Sequence, residues 1–267
     1  MSEPLASNAW VKLNPHPRRR LRLFCFPYAG GGSSAYYSWA AEIAPEIEIC
    51  PIQLPGREER LRETPFTNME ELVEAIAQAL EPYLGQPFAF YGHSLGGLIS
   101  FELARYLRRR QGPTPIQLFV SGCCAPQVPS TDAPIGELPD AEFLQALRRF
   151  NGTSEAILQD TDLMRLLLPL LRADFRVYET YTHTSEKPLD LPIAAYGGLN
   201  DFRARREGVE AWKLQTSQKF FFRMYAGDHF FIHSKRKILL QGISQDLVLP
   251  YSKGSENNPV LAAKAAF

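Results

Sequence analysis

Phe88-Ala89-Phe90-Tyr91-Gly92-His93-Ser94-Leu95-Gly96-Gly97 is the stretch from which the fold can be read. Its first half is a short apolar run, the mark of a buried strand. Leu98-Ile99-Ser100-Phe101-Glu102-Leu103-Ala104-Arg105-Tyr106-Leu107 follows with the spacing of a helix. Between them lies Gly92-x-Ser94-x-Gly96, the pattern of a nucleophile elbow. A serine there sits on a sharp, strained strand-to-helix turn, and its neighbours must be small to avoid clashes. Such a turn pushes the hydroxyl out at the end of a sheet and aims a helix N-terminus at the reaction site. A bare G-x-S-x-G also occurs as an ordinary glycine turn; the flanking strand and helix make Ser94 a candidate nucleophile.

Upstream, Leu21-Arg22-Leu23-Phe24-Cys25-Phe26 reads as a first strand. It runs into Pro27-Tyr28-Ala29-Gly30-Gly31-Gly32-Ser33-Ser34, whose glycines let main-chain N–H groups approach a ligand and whose serines can cap a helix. A phosphate cradle needs the spaced glycines of a dinucleotide fingerprint or a terminal Gly-Lys-Ser/Thr, and neither is present. An oxyanion-hole loop fits the elbow downstream, with the N–H groups of Ala29 and Leu95 as donors. Ala35–Ala44 reads as a helix, and Ile47–Ile52 as a strand whose Pro51 marks its end or a sheet edge. Gln53-Leu54-Pro55-Gly56-Arg57-Glu58-Glu59-Arg60 reads as a polar surface loop. Met69–Leu84 is helical, capped by Thr67 or Asn68, with Leu72, Val73, Ile76, Ala79 and Leu80 inward.

Ile116–Gly122 is the next strand. From Ala125 to about Pro188 strand-like runs disappear, and Asp140–Phe150, Ser154–Leu158 and Asp162–Tyr178 have helical patterns. Inside an alternating chain this predicts an inserted helical lid over the C-terminal edge of the sheet. Alternation resumes with strands at Leu191–Tyr196 and Lys219–Tyr225, a helix at Glu207–Gln215 between them, and a closing helix at Ile232–Leu247. The pattern predicts an α/β fold: a mostly parallel central sheet flanked by helices. We expect one domain over residues 1–267, with 125–188 as the lid within it.

Composition narrows the function. Lys+Arg and Asp+Glu are both 29 in 267 residues, so no global field draws the chain to nucleic acid or an anionic membrane. The runs Arg18–Arg20 and Arg108–Arg110 read as solvated ends of elements. No apolar run approaches the roughly 20 residues of a spanning helix. Met1–Asn14 lacks a secretory layout and reads as a frayed arm. Cys25, Cys50, Cys123 and Cys124 lie in or beside apolar runs without a C-x-x-C pair; we expect reduced core thiols in a cytoplasmic protein. The Ser252–Asn258 tail is polar and reads as loose.

A serine hydroxyl needs an oriented base. His229, after the last strand, is the natural candidate; His16, His93 and His183 are poorly placed, and His233, one helical turn on, is the rival. The i,i+4 pair His229/His233 could suggest a metal, but the H-E-x-x-H glutamate is missing and no third ligand is apparent, so neither metal nor cofactor is expected. Asp201 lies just past the strand before His229 and fits the acid, with helix capping as its plainer role. Asp228 suits a local turn, and Glu207 and Asp174 are lesser alternatives. The order serine, acid, histidine, each on a loop after a strand, is that of α/β-hydrolases.

With these motifs placed, the chain resembles the type II, stand-alone editing thioesterases of nonribosomal peptide and polyketide synthesis. The matching stretches are Leu23–Gly31, Gln53–Arg60, Tyr91–Gly97, Leu171–Phe175, Gly197–Asp201 and Gly227–Phe231. The resemblance implies Ser94 as nucleophile, Asp201 as acid, His229 as base, and Ala29 and Leu95 as oxyanion donors. It also implies a substrate, an acyl group on the phosphopantetheine arm of an acyl or peptidyl carrier protein. A carboxylesterase or acyltransferase with the same triad, a medium-chain fatty acyl thioesterase and an idle hydrolase-fold binding protein are the rivals. Arg57 or the lid's basic residues are expected to meet the acidic carrier or its phosphate.

Overall fold

A computed structural model describes residues 8–13, 18–130, 132–150 and 152–252. His16 and the tail beyond Ser252 lie outside them. β1 (Leu21–Phe26) and β3 (Phe88–His93) are buried along their whole length. Successive side chains go to opposite faces: Phe24, Phe26, Phe88 and Phe90 to one core cluster, Leu23, Cys25, Ala89 and Tyr91 to the other. A strand covered on both sides needs apolar residues at nearly every position, which is why these runs do not alternate. With β2 (Ile47–Pro51), β4 (Leu118–Ser121), β5 (Ile193–Gly198) and β6 (Phe220–Tyr225) they form one sheet in the order β2-β1-β3-β4-β5-β6. Every pairing is parallel. Pro51 closes an edge strand, where a missing N–H is tolerated.

α1 (Met69–Leu80) is capped by Asn68, whose side chain accepts from the Glu70 and Glu71 amides. Its Leu72, Val73, Ile76 and Leu80 are buried as expected, but Ala77 takes the inward place assigned to Ala79. α1 and α2 (Leu95–Arg109) cover the Phe24/Phe90 face. The other face is covered by residues 33–41 and by α8 (Arg236–Ser252), through Leu239, Leu240, Ile243 and Leu247. The expected helix at Ala35–Ala44 is instead a 3-10 helix at Ser33–Ala41. Ser33, Tyr36 and Trp39, three apart, are its buried residues, and three residues per turn set them on one side. Its first turn is held by Glu58, whose carboxylate takes the amides and hydroxyls of Ser33 and Ser34; the serines are not the caps expected of them.

Between β4 and β5 lie α3 (Asp140–Phe150), α4 (Glu155–Gln159) and α5 (Thr161–Glu179), which share a cluster of their own around Phe143, Leu147, Leu158, Met164 and Phe175. The expected helix at Glu207–Gln215 divides into α6 (Arg206–Glu210) and a 3-10 turn at Ala211–Gln215. The closing helix breaks at Lys235, after a short α7 (Phe231–Ser234). Residues 8–13 are not frayed: Asn8 Oδ1 accepts from the Trp10 and Val11 amides, and Val11 bridges Ile52 beyond the β2 edge. Among the described residues no helix is long and apolar enough to cross a membrane.

Candidate active site

β3 ends at His93, α2 begins at Leu95, and Ser94 between them has φ +54° and ψ −119°. A non-glycine residue there is strained, and the surroundings must enforce it. They do so by closeness. A Cβ on Gly92 would stand 2.0 Å from the Gly96 carbonyl oxygen, and one on Gly96 2.1 Å from that of Phe26. The Ser94 amide donates to Ser121 O at 2.7 Å, and Gly97 N to Ser94 O at 2.9 Å. The crowding of Gly96 against Phe26 and Pro27 also brings the start of α2 beside the glycine loop. The Ala29 and Leu95 amides sit on the two sides of that junction, and neither donates to an acceptor among the described residues.

The loops after β5 and β6 lie on one another. Asn200 N donates to Gly227 O at 2.9 Å, and a Cβ on Gly198 would meet Asp228 O at 2.3 Å. The contact brings His229 Nδ1 within 2.8 Å of Asp201 Oδ2. Asp201 Oδ1 accepts from the Arg203 and Ala204 amides at 2.9 and 3.1 Å. Burial pushes the Asp201 carboxyl up, but the His229 hydrogen bond, its charge and the two amides outweigh burial and hold it below the usual range. Ser94 and His229 both line a cavity of about 580 Å³, together with Leu98, Phe175, Tyr178 and Arg203. Phe175 and Tyr178 come from α5 and Phe150 from α3, so these two of the helices between β4 and β5 wall this cavity.

His233 is exposed, stacked on Phe230, with the Tyr28 hydroxyl 3.4 Å from its Nε2. Asp228 Oδ1 accepts from Phe230 N, the local turn expected of it. Among the described residues no three His, Cys, Asp or Glu side chains are grouped to hold a metal.

Three features escaped the sequence reading. His93 is fully buried beneath His229, their ring centroids 5.0 Å apart, with Nδ1 3.0 Å from Ser121 Oγ. Burial first, then the neighbouring His229, His233 and Arg203 charges, holds its pKa well below the histidine range, so it stays neutral. Arg203 lies over the Phe150 ring at 4.1 Å, joining the Asp201 loop to α3. The Gln53–Arg60 stretch is no surface loop: Gln53, Arg57 and Arg60 are buried. Arg57 is 4 % exposed and bonded to Asp174, so it is not available to a carrier's phosphate, and Asp174 stands with Arg57, not with His229. The Arg57 and Asp174 motifs were visible; their pairing, 117 residues apart, had no local signal.

Residues 21–247 match the thioesterase domain family. The gramicidin S biosynthesis protein GrsT of Aneurinibacillus migulanus is 47% identical over 243 residues, 91% of this chain and 95% of that protein. Among solved structures, RedJ, a thioesterase from the prodiginine pathway of Streptomyces coelicolor, superposes with a TM-score of 0.82 at 39% identity, covering 92% and 97% of the two chains. BorB, a type II thioesterase from the borrelidin biosynthetic cluster, gives 0.82 at 33% identity, covering 91% and 99%. With a strained serine and an aspartate-bonded histidine lining one cavity, and with these likenesses over nine-tenths of its length, the chain belongs to the thioesterase domain family and is an enzyme on an α/β-hydrolase fold.

Proposed function

We propose that this thioesterase removes acyl groups from the phosphopantetheine arms of carrier proteins in nonribosomal peptide or polyketide assembly, clearing misprimed or stalled units in the cytoplasm. The observation that carries the reading is the His229–Asp201 hydrogen bond opening onto the same cavity as the strained Ser94. Ser94 Oγ attacks the thioester carbonyl while His229 Nε2 takes its proton, and Asp201 holds Nδ1–H and stabilises the imidazolium. The carbonyl oxygen, now negative, rests on the Ala29 and Leu95 amides. Collapse breaks the C–S bond; the arm's sulfur leaves and takes the proton from His229. Water, deprotonated by His229, then attacks the acyl-serine; the bond from the acyl carbon to Ser94 Oγ breaks, Oγ takes the proton back from His229, and the acid is released.

The segment 125–188 serves as a lid within a single domain, and its aromatic residues shape the acyl chamber. The kinship with GrsT and with a type II thioesterase supports the carrier as partner. The test is hydrolysis of a panel of carrier-bound acyl groups, beside acyl-CoA and simple oxygen esters. Wild type is expected to favour the carrier thioesters, and Ser94→Ala to lose on the order of 10⁶ in turnover. Ordinary activity in Ser94→Ala would remove the nucleophile assignment, and a preference for oxygen esters would turn the reading to a carboxylesterase.

A further inference from the structure

Two motifs of the sequence have no part in the chemistry above: the Gln53–Arg60 loop and Leu171–Phe175 of α5. They meet beneath the glycine loop. Arg57 Nη1 and Nη2 hold Asp174 Oδ2 and Oδ1 at 2.9 and 2.8 Å, and both side chains are buried. Each partner also takes one main-chain group of the loop. Asp174 Oδ2 accepts from Gly30 N at 2.7 Å, and Arg57 Nη1 donates to Gly31 O at 2.8 Å. On the same side of α5, Leu171 Cδ2 stands 2.5 Å from where a Gly30 Cβ would be.

The segment so held is a turn. Gly31 N donates to Tyr28 O at 2.8 Å, and Gly30, third of the four residues, has φ +75°. That is the signature of a type II turn, which differs from type I by a flip of its central peptide, here Ala29–Gly30. The Asp174 carboxylate accepts the N–H of that same peptide. Flipped, the peptide would point its Ala29 carbonyl at the carboxylate, oxygen against oxygen. Stability alone does not call for ions here, since an apolar pair of similar volume often serves as well. A charged pair with one main-chain partner on each member suits a different task, fixing a conformation.

We propose that Asp174, held by Arg57, is a positioning residue for the oxyanion loop: the pair anchors the Tyr28–Gly31 turn at Gly30 N and Gly31 O and so fixes where Ala29, with its N–H, stands in the site. The proposal rests on the reading of Ala29 as an oxyanion donor. It makes α5 part of the catalytic frame as well as a wall of the acyl cavity.

The test compares wild type, Asp174→Asn and the double variant Arg57→Met/Asp174→Leu. The double variant removes both buried charges together and so leaves neither unpaired if the single one fails to fold. Active sites are titrated with a fluorophosphonate, and kcat and KM are measured per titrated site on an acyl-carrier thioester. Inhibition by an acyl trifluoromethyl ketone, whose hemiketal oxyanion occupies the donors, is set beside inhibition by the free acid. We expect kcat to fall about 10²-fold with KM little changed, the effect of a slightly misplaced group. Trifluoromethyl ketone affinity should fall in step with kcat/KM while free-acid affinity holds. Wild-type kcat and ketone affinity per titrated site, with only a lowered Tm, would overturn the proposal and leave the pair a structural one. Turnover by Ser94→Ala would instead remove the reading beneath it.

Discussion

Asp201 shows how much one atom decides. Its Oδ1 is committed to the Arg203 and Ala204 amides and its Oδ2 to His229 Nδ1. In Asp201→Asn the two amides would keep the carbonyl oxygen where Oδ1 is, so the NH2 group would face Nδ1. Nδ1 must then accept and Nε2 carries the proton, so the proposed nucleophile Ser94 has no base: the wrong tautomer. We expect kcat to fall about 10⁴-fold, read as single-turnover acylation of an acyl-carrier thioester, and near-wild-type acylation would remove Asp201 from the triad. In the wild type the depressed carboxyl pKa means its stabilising effect is complete above the unfolded value of 3.8 and is lost as pH falls below it.

At the scale of elements, the sequence reading succeeded where one period dominated and failed where partners came from afar. β1, β3 and α2 were legible because a buried parallel strand and the helix after it leave unbroken signals. The 3-10 form of residues 33–41 was not, since Tyr, Ser and Trp are middling helix formers and Glu58, the group that holds its first turn, belongs to another loop. Arg108–Arg110 misled in a similar way. Arg108 and Arg109 are not merely solvated: with Arg105 they grip Glu186 at 2.6, 2.8 and 2.7 Å, tying the chain after α5 to the end of α2. Burial raises the Glu186 carboxyl, but the hydrogen bonds and charges of the three arginines prevail and lower it from 4.5 to about 2. A depressed carboxylate stabilises fully above its unfolded pKa and less as pH falls through the folded one. Glu186→Gln should therefore lower Tm by a few degrees at pH 7, where one kcal/mol is worth about 2–4 °C in a chain of this size. The deficit should shrink between pH 4.5 and 2, and one that is flat across that window would show that the ion pairs contribute nothing.

Across the whole molecule, the sheet and the inserted helices are unequally anchored. β3, β4 and β5 lie in the middle of the sheet with every residue buried, and helices cover both faces. α3 buries only Phe143 and Leu147, and α4 only Leu158. α5 changes character along its length: residues before Pro169 are mostly exposed or half-buried, whereas Leu170, Leu171, Ala173, Asp174, Phe175 and Val177 are buried. The free energy of local opening follows buried apolar contact, so protection should be graded along the chain. Amide exchange read by mass spectrometry is expected to be fastest in α3, α4 and the first half of α5, and slowest in β3–β5. The second half of α5, clamped through Asp174 to the glycine loop, should exchange with the sheet. The border between a mobile cover and a fixed wall would then fall inside one helix, near Pro169, whose missing N–H already removes a bond of the ladder there. Exchange of α3 and α4 at the rate of the sheet would mean that the insertion opens only on global unfolding. Acyl substrates would then have to enter through a passage already present.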